Sequence, residues 1–107
     1  MIARIWHGKT KKSKSEEYKR FVLDVAVKDY KSIEGLIGLE FLHRIENEEA
    51  HFTLITFWPS VETIKKFAGE DFEKAKYYPE DDEFLLEFEE HVKHYDVFYK
   101  HFNFPNK

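Results

Sequence analysis

Cysteine is absent from this chain, and glycine and proline are scarce, four and three in 107 residues. Without a thiol there is no disulfide framework, no thiolate zinc or iron–sulfur site and no cysteine nucleophile. Long apolar runs are missing too. None approaches the ~20 residues of a membrane-spanning helix. The start, Met1-Ile-Ala-Arg-Ile-Trp-His-Gly-Lys9, turns charged before a signal-like stretch develops. A cytoplasmic location is the expectation, with no membrane partner. An excess of positive charge is also lacking: 17 Lys plus Arg stand against 21 Asp plus Glu. A nucleic-acid module should carry a basic stripe, so no nucleic-acid partner is expected. No Gly-rich phosphate loop and no serine-nucleophile motif occur, so no nucleotide cofactor is implied.

What is there is aromatic and charged. Aromatic residues make up 18% and charged residues 36% of the chain. A disordered chain cannot hide that many rings. Residues 1–107 read as a single domain with one core.

The apolar periodicities order the elements. Residues 2–7 alternate as a strand, with Ile2, Arg4 and Trp6 opposite Ala3, Ile5 and His7. Gly8 and a lysine loop, Lys9-Thr-Lys-Lys-Ser-Lys14, are expected to end it. Ser13 and Glu16 have capping-box spacing, with Ser15 as a competing cap. Tyr18, Phe21, Val22, Val25 and Ala26 then form the stripe of a helix over about 15–32, closed by Gly35 in a left-handed conformation. Strands follow over 38–46 and 51–58 around the polar turn Glu46-Asn-Glu-Glu49. Pro59 stops the ladder, and Ser60 caps a helix bearing Val61, Ile64, Phe67 and Ala68, closed by Gly69. A short helical turn is expected over 71–77. Irregular or briefly helical chain follows around Pro79, a strand runs over 91–99, and Phe102 and Phe104 lie in a tail. The acidic run Glu80-Asp-Asp-Glu83 reads as solvated loop charge, as do Glu87 and Glu89-Glu90.

Strand, helix, strand, strand, helix, strand is the order of the split βαβ, or ferredoxin-like, α+β fold with a four-stranded antiparallel sheet. Right-handed crossovers put both helices on one side of the sheet. Both faces of the central strands are apolar at mid-strand: Phe52, Leu54 and Trp58 on one, Ile55 and Phe57 on the other. A single helical layer leaves the second face bare, beyond the apolar patch a monomer tolerates. A homodimer packed through that open sheet face is predicted, with Trp6 in its core.

Short stretches also resemble a known family. Ile5-Trp6-His7-Gly8, Gly35-Leu-Ile-Gly38, Trp58-Pro-Ser, Phe67-Ala-Gly-Glu-Asp71, Tyr77-Tyr-Pro-Glu-Asp81 and His94-Tyr-Asp-Val97 are similar to the antibiotic-biosynthesis-monooxygenase family of dimeric α+β barrels. The resemblance spans about residues 2–98. It implies a dimeric α+β barrel with a pocket between helices and sheet. It also implies a cofactor-independent monooxygenase acting on an aromatic or planar apolar compound. The haem-degrading branch of that family has an Asn near the end of strand one, a Trp on the second helix and a haem-ligating His about ten residues later. By alignment His7, Phe67 and Lys76 stand at these positions. An ammonium has no lone pair for iron, so no haem cofactor is implied.

His7 shares a face with Ala3 and Ile5, which suggests an inward direction, and its imidazole would serve as base toward a phenol. Phe67, Lys76, Tyr77 and Tyr78 would line the pocket and bind the substrate. Phe67 also reads as core. Trp58 reads as a structural plug. The histidines His7, His43, His51, His91, His94 and His101 show no metal-ligand spacing, so no metal is expected; a site would need His7, His43 and His94 to converge. Two further classes stay open: a non-catalytic small-molecule-binding or stress-associated protein, and an interaction module whose bare sheet face recognises another protein.

Overall fold

The computed structural model describes residues 1–103, and Phe104 lies outside them. Four strands, β1 (Ile2–Lys11), β2 (Gly38–Glu46), β3 (Glu49–Trp58) and β4 (Lys93–Asp96), form one antiparallel sheet in the order β2-β3-β1-β4. Helical segments α1 (Ser15–Phe21) and α2 (Val27–Lys31) are joined through a π-helical stretch, Val22–Ala26, into one rod; α3 covers Val61–Ala68. This is the ferredoxin-like α+β arrangement expected. Among the described residues no helix is long and apolar enough to cross a membrane.

β1 runs past Gly8 to Lys11, and all ten of its residues pair with β3, from Ile2↔Trp58 to Lys11↔Glu49. Gly8 therefore does not end the strand. It makes room: a Cβ there would collide with Cη2 of Trp6. The lysine loop is correspondingly shorter, a single turn of 3-10 helix at Lys12–Lys14. α1 starts at Ser15 with no side-chain cap, so the capping box is not formed. Ser60 does cap α3, its Oγ accepting from the Thr63 N–H at 3.3 Å. Gly35 and Gly69 adopt φ of +98° and +88°, the left-handed region open to glycine. The short turn expected over 71–77 is confined to 71–74, where the Lys74 N–H donates to the Asp71 carbonyl at 3.1 Å, and β4 is shorter than the 91–99 expected. The part of β1 that β4 does not reach is flanked instead by the loop after Pro79–Glu83, whose Leu86 N–H donates to the Lys9 carbonyl.

Arg4, Trp6, Gly8 and Thr10 of β1 and Phe52, Leu54, Thr56 and Trp58 of β3 point toward the helices. Their side chains are buried, and Gly8, which has none, is buried with them. The core forms where they meet Tyr18, Val22, Ala26 and Tyr30 of the rod and Ile64 and Phe67 of α3. The other face, by contrast, is half-buried at Ile5, His7, Thr53, Ile55 and Phe57. Trp58 is fully buried and its indole N–H donates to Thr56 Oγ1 at 2.8 Å, as a plug should.

Candidate functional site

Two clusters of polar chemistry lie on opposite faces of the sheet. The first sits between the rod and the sheet. Asp29 of α2 accepts from Lys76 Nζ at 2.9 Å and from the Tyr78 hydroxyl at 2.5 Å. Burial pulls the Asp29 pKa up, but the hydrogen bonds from Tyr78 and Lys76 outweigh it and hold the carboxylate below its usual range. Tyr78 is pushed well above the ordinary phenol value, by burial first and then by the bond to Asp29. The Lys76 ammonium also lies 4.3 Å from the Phe67 ring centre, a cation–π contact. A turn further along, buried Asp81 accepts from the Tyr18 hydroxyl at 2.9 Å and from the Tyr78 backbone N–H at 2.7 Å. Burial raises its pKa against those hydrogen bonds. Asp81 thus corrects the reading of 80–83 as solvated charge: Tyr18 and the backbone supply the partners that let a carboxylate go inside.

Trp6 lies beside these groups. It is 6% exposed, packs edge-on to Tyr77 at 6.1 Å, and its Nε1 is buried with no hydrogen-bond partner among the described residues. Buried polar atoms are nearly always paired, so this indole N–H stands out. Its place beneath the helices corrects the expectation that Trp6 belongs to a dimer core. Trp6, Tyr18, Tyr30, Lys76, Tyr78 and Asp81 line a hollow of about 10 Å³, together with Val22 and Ala26 of the π stretch. That is room for about one water. A second hollow of about 160 Å³ adjoins it through Val22 and Leu54. It is walled by Leu23, Phe41 and Phe52 with Lys19 and His43 at its edge. π-helical turns are frequent at functional sites, and this one borders both hollows.

Of the expected pocket residues, Lys76 and Tyr78 line the smaller hollow. Phe67 lies behind it, stacked 4.3 Å from Tyr30 and packed on Trp58, as core. Tyr77 turns outward; its hydroxyl donates to the Glu89 carbonyl at 2.5 Å, and burial with nearby carboxylates pushes its pKa up to about 12. His7 does not face this space. It lies on the other side of the sheet, where its Nδ1 is 2.6 Å from Glu89 Oε2 and its Nε2 is 3.3 Å from His51 Nδ1. The expected inward direction of His7 is thus corrected, and the reason is that Arg4 makes the true inner face look polar. Arg4 is 2% exposed, yet its guanidinium donates to the carbonyls of Phe72 and Lys74 and contacts His94. Sequence reasoning missed Glu89, Asp29 and Asp81; only Trp6–Gly8, a large residue two places before the smallest, hints in the sequence at which side is packed. His7, His43 and His94 do not converge: His43 and His94 lie on the helix side, on strands at opposite edges of the sheet. Among the described residues no cluster of three His, Cys, Asp or Glu could hold a metal.

No family model and no curated protein matches the sequence. Among solved structures the chain is similar to a mutant of MhuD with two manganese protoporphyrin IX bound per active site. The TM-score is 0.62 at 13% identity, over 96% of this chain and 100% of that one. At this identity the likeness speaks for the fold alone.

Proposed function

We propose that this protein is a small cofactor-independent monooxygenase that binds an aromatic or planar apolar compound between the helical rod and the sheet. The observation that carries the reading is the buried, unpaired Trp6 Nε1 beside a hollow edged by Lys76, Tyr78 and Asp81. A substrate oxygen would accept from that N–H. The adjoining 160 Å³ hollow has the size at which an apolar cavity takes up a single ring, so it would seat one ring of a larger planar compound. The neighbour in the same fold holds two manganese protoporphyrins in one active site, which supports flat ligands as the class.

The residues here do not fit a metalloporphyrin. The Lys76 ammonium is bound to Asp29 and offers iron no lone pair. The chemistry left is the substrate's own. An anthrone-type compound, once deprotonated, supplies the electrons itself: its CH₂ carbon becomes C=O, and the second oxygen of O₂ leaves as water. The Lys76 ammonium would stabilise the anion. Asp81, with its raised pKa, is the base this reading names in place of His7, which stands across the sheet. The open face, half-buried at Ile5, Ile55 and Phe57 and exposed at Leu42 and Tyr95, supports a homodimer through that surface.

Oxygen uptake with a dihydroxyanthrone tests this. The expected result is one O₂ per anthrone, with rates lost in Asp81→Asn and a raised KM in Trp6→Phe. If the parent consumes no oxygen above buffer, the oxygenase reading fails. Saturable quenching of tryptophan fluorescence without turnover would then assign a binding protein. The internal pairing of Asp29, Lys76 and Tyr78 favours that second reading.

A further inference from the structure

The second polar cluster lies on the open face and takes no part in the proposed oxygenase site. His7 on β1 and His51 on β3 are diagonal neighbours across the strand pair, since His7 sits opposite Thr53. Their rings are stacked at 24° with centres 5.5 Å apart. Nδ1–H of His7 donates to the Glu89 carboxylate, which leaves Nε2 as the lone-pair nitrogen, 3.3 Å from His51 Nδ1. Two metal–nitrogen bonds of about 2.05 Å at the tetrahedral angle separate their nitrogens by about 3.3 Å. The 3.3 Å between these nitrogens therefore matches the length of one ligand edge of a metal tetrahedron. A hydrogen bond joins them now, and a divalent ion would replace it.

We propose that His7 Nε2 and His51 Nδ1 chelate a first-row divalent ion of the Cu²⁺, Ni²⁺ or Zn²⁺ class, with Glu89 as the outer carboxylate. Imidazole nitrogens suit these ions. A carboxylate on the far nitrogen fixes the tautomer and raises the basicity of the ligating one. The surrounding charge is mixed, with Lys93 lining one of the adjoining hollows, and the nearer cations are paired with carboxylates. Lys9 is paired to both Glu49 and Glu87, Arg44 is paired to Glu46, and the Glu89 carboxylate is held by His7. Space for further ligands lies on both sides of His7, in hollows of about 300 and 320 Å³. With two protein ligands, the remaining positions go to water or to an added donor molecule, so the site requires that the dimer proposed above leave His7 and His51 uncovered.

Titration calorimetry of tag-free, chelator-treated protein with CuCl₂, NiCl₂ and ZnCl₂ tests this at a pH where imidazole is neutral. One ion per chain is expected. His7→Ala and His51→Ala should each weaken binding at least about 100-fold. Glu89→Gln should weaken it about 10- to 100-fold, the usual effect of losing an outer partner. His94→Ala, on the helix side and lining neither hollow, should leave it unchanged. Imidazole resonances of His7 and His51 should move on Zn²⁺ addition in parent protein, a readout that needs no folded variant. No saturable binding in the parent overturns the proposal, as does parent-like binding in the His7 and His51 variants.

Discussion

Trp6 and His7 are bonded neighbours on β1, and the sheet separates them: Trp6 is buried under the helical rod, while His7 lies on the other face beside Glu89. The 85–91 loop touches both sides. Its Glu89 carbonyl takes the hydroxyl of Tyr77, which packs on Trp6, and its carboxylate holds His7. The two candidate sites are thus joined through one residue while facing opposite ways.

Gly8→Ala should displace the Trp6 ring, because the added Cβ would overlap its Cη2 edge. Overpacking of this kind costs about 1–3 kcal/mol. Urea unfolding should read that loss, and near-ultraviolet circular dichroism should show a changed tryptophan band. Parent-like values of both would mean that the ring has room elsewhere.

The Asp29 pair predicts unequal losses. Tyr78→Phe removes one hydrogen bond to a charged group, worth about 1.5–3 kcal/mol. Asp29→Ala removes that bond together with the counter-charge of Lys76, and should cost more. The double variant should fall short of the sum, because both changes break the same network. Full additivity in denaturant unfolding would show that the two groups act independently.

His94 makes stability pH-dependent. Burial, and then the Arg4 charge, lower its pKa from the ordinary 6.5. The unfolded chain therefore binds the proton more readily. The His94 contribution is fully present above that ordinary value and is lost as pH falls below it toward the folded pKa. Melting temperature should drop between neutral pH and pH ~5, and His94→Gln should flatten that slope. An unchanged slope in the variant would place the titrating group elsewhere.

Light scattering should find the parent as a dimer at micromolar concentration, and Phe57→Glu as a monomer. Phe57 is half-buried on the open face, with Lys100 Nζ 3.6 Å from its ring centre. A parent that stays monomeric would remove the proposed use of that face.

Much of the fold was legible in local pattern. The strand ending at Trp58, the hairpin over 46–49 and the Ser60-capped helix stand where the alternation and caps put them, because those signals lie within a few residues of their effect. The candidate site was legible only in part. Lys76 and Tyr78 reach the hollow, but Asp29 joins them across 47 and 49 residues of chain, and no periodicity announces such a partner.

Alternation, helical period and capping residues determined by themselves that this chain forms four strands and two apolar helical stripes over a single sheet. They could not decide which side of β1 faces inward. That was decided by the carbonyls of Phe72 and Lys74, which satisfy the Arg4 guanidinium and so let a charged residue share the buried face with Trp6. A strand's two faces differ by one residue of register, and the energy that chooses between them comes from partners far along the chain.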